Sequence, residues 1–290
     1  MSQAVRSKSE DSRVKLGIRR GIAYLVLAIL CFLCLFFFYI LLINATHNHA
    51  EVQKGFNILP GVTFPTNWYN VWHDANIPIL KGILNSLLVS GMCALLAVYF
   101  SAMTAFGIHA YDFKGRNAAF VFILLIMSMP TQISAMGFVR LITRMHMNDT
   151  LFPLFIPSIA APTVFYFMVQ YMRASLPMEI VEAARIDGCS EFGTFNRIVL
   201  PILKPAMAVQ AIFTFVGAWN NYFVPALIIN TNNKKTLPIL IAQLRSADFL
   251  KFDMGKVYML IAIAIMPVIV VYLFLSKYIV GGVTLGAVKG

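Results

Sequence analysis

The chain has 290 residues, 59% of them hydrophobic and only 12% charged, with a mean hydropathy of +0.77. An ordinary soluble domain carries about twice that charge fraction, so the chain reads as a polytopic membrane protein whose length counts spans. The net charge of +11 comes from 23 Lys and Arg against 12 Asp and Glu. These bases sit mostly at the ends of apolar runs, where membrane topology accounts for them, so the partner they point to is lipid and not nucleic acid.

Residues 1–20 form a polar tail with the bases Arg6, Lys8, Arg13, Lys15, Arg19 and Arg20. The uncharged run 21–43 is too long for a signal-peptide core and reads as a first transmembrane helix, its N-terminus in the cytoplasm. Within it, Cys31 and Cys34 stand among Leu and Phe as small apolar helix residues; with Cys93 and Cys189 they imply no disulfide framework. An outer loop follows over 44–81, where Trp68, Tyr69 and Trp72 fit an interfacial anchor better than a ligand site. The second span, 82–110, opens on Asn85 and Ser86. Its small residues Ser90, Gly91, Ala94, Ala97, Ser101, Ala102 and Ala105 recur at helical spacing, which predicts a face packed closely on other helices.

The third span, 117–139, is interrupted by Pro130, Thr131 and Gln132, which predicts a kink or break. The fourth, 151–172, holds Pro153, Pro157 and Pro162, whose freed carbonyls need partners on neighbouring helices or water. A charged segment occupies 173–204. The fifth span is 205–229, an outer loop covers 230–256, the sixth span is 257–276, and a tail closes the chain at 277–290. Six spans place both termini in the cytoplasm, as the basic N-terminal tail favours. Lys234, Lys235, Arg245, Lys251 and Lys256 in the last outer loop run against that rule and hint at contact with something acidic. No acid or base stands in the middle of a span, which argues against a proton- or sodium-coupled carrier and against a voltage sensor. The histidines His47, His49, His73, His109 and His146 show no metal spacing beyond a His-Asn-His and read as solvated; no metal site is expected.

The charged segment is the element the chain is organised around. Pro177 and Glu179 suit a helix start. Ile180, Ala183, Ala184 and Asp187 fall at i, i+3, i+4 and i+7, one small apolar face suited to a partner's groove. Gly188 is placed to end that helix in a left-handed conformation, and Ser190 to cap a second, with Glu191 in its first turn. Gly188 and Gly193 have the frame of a phosphate loop, but Thr194 and Phe195 stand where its Lys and Ser/Thr belong, so the chain shows no ATPase of its own.

Glu182-Ala183-Ala184, Gly188, Ile198 and Leu200-Pro201 resemble the EAA loop of permease subunits in bacterial ABC importers. With Asn85-Ser86, Trp219-Asn220-Asn221 and the terminal residues 281–290, residues 20–290 resemble the maltose-type permeases of carbohydrate importers. The resemblance implies an all-α integral membrane protein of the type I ABC importer permease fold, a single permease domain with its core at about 82–280. It implies a multi-pass protein of the bacterial cell membrane that translocates a sugar or oligosaccharide. The implied partners are a second permease, two ATPase subunits that bind ATP and Mg and hydrolyse the nucleotide, and an extracytoplasmic sugar-binding protein. This chain itself would hold no cofactor and no catalytic residue. Glu182, Ala183, Ala184, Asp187, Gly188, Ile198 and Pro201 would couple to an ATPase subunit. The tail residues Gly286, Ala287, Val288, Lys289 and Gly290 would reach the ATPase interface. Neutral sugars are held by amides and aromatic faces, so Asn85, Gln132, Trp219, Asn220, Asn221 and Tyr222 are the candidates for the substrate path, with interhelical hydrogen bonding as the alternative role for each. An importer of another substrate, such as a glycerol phosphate, and a self-sufficient carrier or channel stay open as alternatives.

Overall fold

The computed structural model describes the backbone of residues 2–245 and 253–287, and the side chains of residues 16–130, 132–245 and 253–277. Among these the regular structure is entirely helical, as it must be where a backbone inside lipid can pair only with itself. In chain order the helices are α1 (Ser2–Asn44), α2 (His49–Gln53), α3 (Phe64–Trp72), α4 (Ile79–Ala110), α5 (Arg116–Met127), α6 (Thr131–Arg144) and α7 (Phe152–Phe155). There follow α8 (Pro162–Ser175), α9 (Met178–Ile186), α10 (Glu191–Thr194), α11 (Leu200–Trp219), α12 (Phe223–Ile228), α13 (Leu237–Arg245) and α14 (Met254–Ala287). Five stretches are long and apolar enough to cross a membrane: Leu16–Asn44, Ile79–Ala110, Phe152–Ser175, Glu191–Trp219 and Met254–Lys277. α5 and α6 meet at the expected break with a 98° bend, Pro130 being extended, and make a sixth if the bent pair is counted as one span.

Two compact units make up the chain, the first being Met1–Val71 with Asp253–Ala262. There the apolar side chains of α1 point outward around nearly its whole girth, as suits a helix in lipid. Beyond its C-terminal end the chain builds a small cap. Asn48 and Glu51 form a capping box for α2. The buried amide of Asn67 donates to the carbonyls of Ala45 at 2.8 Å and His47 at 2.9 Å. Gly255 approaches this knot so closely that a Cβ would collide with the His47 carbonyl oxygen and the Asn67 amide. The reading of His47 as a solvated residue is corrected here: its ring bridges the Leu59 carbonyl at 2.9 Å and the Glu51 carboxylate at 2.8 Å. Both partners are acceptors, so both ring nitrogens must donate. The Leu59 carbonyl first, and Glu51 after it, raise the histidine's pKa above its usual value.

The second unit comprises Trp72–Phe252 and Ile263–Gly290. Its centre is α4, against which α8 and α11 pack. The small face predicted for this helix is buried: Ser90, Ala94, Ala97, Ser101, Ala102 and Ala105 all lie inward. They let the neighbours approach closely, and Val164, Phe165, Met168, Val169, Met172, Val199 and Leu203 fill the space above them. The three prolines of the fourth span divide it into α7, a 3₁₀ turn at Ile156–Ile159, and α8. Two carbonyls of this irregular stretch are met from α4, Cys93 Sγ donating to Leu154 O and Ser101 Oγ to Ala161 O, each at 3.3 Å, the latter carbonyl also accepting from Phe165 N. Between α10 and α11 the chain makes a π-helical turn, Phe195–Val199. It keeps Phe195, Val199 and Leu203 together on the buried face, where Phe195 meets the rings of Phe106 and Tyr99.

Gly255→Val drives a side chain into the cap and lowers the thermal unfolding midpoint of the detergent-solubilised chain, by the equivalent of about 1–3 kcal/mol. Gly91→Ala, where an added Cβ meets nothing within 4 Å, leaves the midpoint unchanged or raises it.

Candidate functional site

The charged segment folds as a tight corner. Pro177 and Glu179 open α9, and the helix closes in a Schellman motif: Cys189 N donates to Ala184 O at 3.0 Å and Gly188 N to Arg185 O at 3.1 Å. Gly188 takes φ +78°, the left-handed conformation the motif requires. Ser190 then caps α10, accepting from Gly193 N at 3.2 Å. The corner is therefore four residues long, 187–190, and turns on one left-handed glycine, with a helix on either side.

One face of α9 is used by the chain itself. Val181 and Ala184 are buried, with Leu176, against the core of the second unit. The predicted face of Ile180, Ala183, Ala184 and Asp187 is corrected accordingly: Ala184 turns inward, and the presented surface shifts round the helix. It consists of Glu182, Ala183, Ile186, Asp187 and Gly188, with Ile180 at its edge. Ile186 is 86% exposed, and Phe192 beyond the corner is 67% exposed. Sequence reasoning missed both, although a large apolar residue two positions before a helix-ending glycine is the signal that marks Ile186. Ile198 is half-buried and Pro201 exposed at the base of α11.

A three-residue clamp holds the corner in place. Arg185 Nε pairs with Glu191 Oε1 at 2.7 Å, and its Nη2 reaches Oε2 at 3.2 Å. The Tyr111 hydroxyl donates to Glu191 Oε2 at 2.5 Å, and the Arg185 guanidinium lies 5.3 Å from the centre of the Tyr111 ring. Tyr111 follows the last residue of α4, so α9, α10 and α4 are fastened at one point. His109 Nε2 meets Leu176 O at 3.2 Å, and the Tyr99 hydroxyl donates to Asn196 Oδ1 at 3.2 Å, which adds two further ties to α4. Among the tail residues, Gly286 and Ala287 end α14, and their side-chain surroundings are outside the described residues, as are Val288, Lys289 and Gly290 entirely.

The polar residues expected along the substrate path fare differently. Asn85 Nδ2 donates to Asn233 O at 2.9 Å and Lys235 O at 3.0 Å, while Ser86 Oγ accepts from Leu237 N at 2.8 Å. Asn85 is thus spent on fixing the turn that leads into α13, a structural role in place of the substrate role. Trp219 is corrected likewise: it is buried and stacked on Phe215 at 5.8 Å, with no face open to a sugar. Asn220, Asn221 and Tyr222 are exposed where α11 breaks before α12, and Gln132 is exposed in the first turn of α6.

Of the five bases in the last outer loop, Lys234 meets an acid of the chain itself. Asp149, at φ +57°, accepts from Thr231 Oγ1 at 2.6 Å and from the amides of Asn230 and Thr231, each at 2.9 Å. Lys234 Nζ lies 3.1 Å from its carboxylate and donates to its carbonyl at 2.7 Å. Hydrogen bonds from Thr231 and then Asn230, with Lys234 beside them, hold the Asp149 carboxyl well below the usual carboxylate range.

Residues 95–284 match the model of a family described as binding-protein-dependent transport system inner membrane component. The arabinooligosaccharides transport system permease protein AraQ of Bacillus subtilis (strain 168) is 34% identical over 267 residues, covering 90% of this chain and 92% of AraQ. The melibiose/raffinose/stachyose import permease protein MelC of the same organism is 28% identical, over 87% of this chain and 91% of MelC. Among solved structures, a chain of a bacterial ABC transporter involved in the import of the acidic polysaccharide alginate matches with a TM-score of 0.75 at 20% identity. That match covers 92% of this chain and 97% of the other, and is a likeness of fold.

At Gly188, a β-branched residue costs about 1–2 kcal/mol of left-handed strain, whereas Asn enters that conformation readily. Gly188→Val is therefore expected to lower the thermal midpoint clearly and Gly188→Asn only slightly. For Asp149, a depressed folded-state pKa means its stabilisation is complete above the ordinary aspartate value of about 3.9 and is lost as pH falls below it. The midpoint difference between the wild type and Asp149→Asn is large near neutral pH and shrinks on acidification.

Proposed function

The chain belongs to the binding-protein-dependent transport system inner membrane component family, and on that premise we propose that it imports a sugar or oligosaccharide as one membrane-spanning half of an ATP-driven complex. A second permease chain forms the other half. Separate ATPase subunits bind ATP and Mg and hydrolyse the nucleotide, and an extracytoplasmic binding protein delivers the substrate. Both termini and the α9 corner face the cytoplasm in this reading. It makes the chain a transport subunit and not an enzyme.

The observation that carries the coupling role is the exposed, clamped corner at Gly188. A surface that transmits motion must project from the protein and yet be unable to flex on its own. Glu182 and Asp187 offer charge to a basic partner, Ala183 leaves room for close approach, and Ile186 and Phe192 offer apolar contact. Gly188 fixes the angle, while Ile198 and Pro201 join the corner to α11. Ala184 contributes from beneath, by seating α9 on the core. The tail residues Gly286, Ala287, Val288, Lys289 and Gly290 add a second contact with the ATPase subunits.

For the substrate path, Gln132, Asn220, Asn221 and Tyr222 remain as groups for sugar hydroxyls and C–H faces. Specificity for an oligosaccharide draws its support from the two relatives, AraQ and MelC. The basic outer loop lends a phosphorylated substrate less support than its charge suggests, since Lys234 is paired with Asp149 and Lys235 donates to Asn232 Oδ1 at 2.7 Å.

Affinity purification of this chain from solubilised membranes is expected to bring with it a second permease and an ATPase subunit. Glu182→Lys and Gly188→Asp should reduce sugar uptake to background while the protein still reaches the membrane. Full uptake in both variants would remove the coupling role from this corner.

A further inference from the structure

From Gly55 to Trp72 the chain carries no Asp, Glu, Lys or Arg. Four apolar side chains in this stretch, Phe56, Ile58, Leu59 and Val62, stand uncovered, with Leu59 76% and Val62 88% exposed. The outward side of α3 continues the patch with Phe64, Trp68 and Tyr69, while Asn67 and Val71 turn inward. A contiguous apolar surface of this kind is uncommon on a water-facing loop.

Two contacts fix where the stretch runs. The Phe56 ring lies 5.8 Å from that of Phe36, and the Tyr39 hydroxyl donates to Ile58 O at 2.6 Å. Phe36 and Tyr39 precede Asn44, the last residue of α1, by eight and five positions. At about 1.5 Å per residue they lie roughly 12 Å and 8 Å back along the helix. Residues 56–58 therefore return alongside the apolar shaft of α1.

The backbone of this stretch gives an independent indication. Four of its backbone polar groups are paired by protein. Tyr39 takes Ile58 O, and His47 Nε2 takes Leu59 O. Gly61 N donates to Thr46 Oγ1 at 2.7 Å, and Thr63 N to Thr46 O at 3.0 Å. Polar atoms facing the protein and apolar side chains facing out reverse the arrangement of a loop in water. Internal pairing is also the condition under which non-helical backbone is tolerated at membrane depth.

We propose that residues 56–69 are a lipid-inserted fold-back, a surface of the first unit that binds the phospholipid bilayer. Phe56, Ile58, Leu59 and Val62 enter the acyl region, and Trp68 and Tyr69 lie at the headgroups. The occupant is lipid because the patch continues the outward apolar surface of α1, at the level of Phe36 and Tyr39. The His47–Leu59 bond ties the stretch to the chain just beyond the end of α1.

The test uses the full-length chain reconstituted in phosphatidylcholine vesicles, with Val62→Trp and Leu59→Trp each read as a difference from the wild-type emission. The added tryptophan is expected to emit to the blue, to lose most of its intensity in vesicles of acyl-brominated phosphatidylcholine, and to be little affected by iodide in the buffer. Emission to the red, quenched by iodide and not by brominated lipid, would place the stretch in water and overturn the proposal. Insensitivity to both quenchers would mean that protein covers the patch, and would overturn it too. The emission lost in Trp68→Phe offers the same reading from the native residue should either variant fail to fold.

Discussion

A peptide carbonyl at membrane depth has no water to turn to, and leaving one unpaired costs several kcal/mol. Much of this structure follows from that constraint. The prolines at 153, 157 and 162 break one span, and Cys93 and Ser101 of α4 each reach a carbonyl of the irregular backbone there. Such short side chains reach only if the helices nearly touch. The alanines and serines of α4 bring α8 and α11 that close, so close packing and polar satisfaction in this core are a single arrangement.

The same economy operates at the helix ends. Asn67 occupies two carbonyls beyond α1, Asn85 occupies two in the turn before α13, and Asp149 gathers two amides and a hydroxyl. Amide and carboxylate side chains that a sequence offers as ligands are thus largely consumed in holding irregular backbone. The polar side chains at the α11–α12 break, Asn220, Asn221 and Tyr222, stay exposed.

Length, hydropathy and helical period made a multi-span helical protein legible, along with the buried small face of α4 apart from Gly91 and the break at Pro130, but not the start of the fifth apolar stretch, which lies at Glu191 and not at 205. The glycine end of α9 and the serine cap of α10 were legible too, because each depends on a residue's own backbone preference. The family was legible in the spacing from Glu182 to Pro201. What could not be read depends on distant partners. Whether Ala184 or Ile186 faces out is decided by where the core lies beneath α9, and Tyr111 stands 80 positions from the carboxylate it binds. The π-helical turn at Phe195–Val199 escapes a 3.6-residue template, since a single wider turn shifts every later residue without changing composition. For Asn85 and Trp219 the two roles could not be separated, because a polar or aromatic side chain near a span end looks the same whether it serves a ligand or a neighbouring loop.

The corner at Gly188 is a joint without slack. With a single left-handed residue between the helix-closing hydrogen bonds and the Ser190 cap, there is no spare chain to absorb a displacement. Arg185 and Glu191 brace the two arms from inside the angle. In the proposed coupling role, a shift imposed on the outer surface of α9 would be carried to the foot of α11 as by a bell crank and not by a spring.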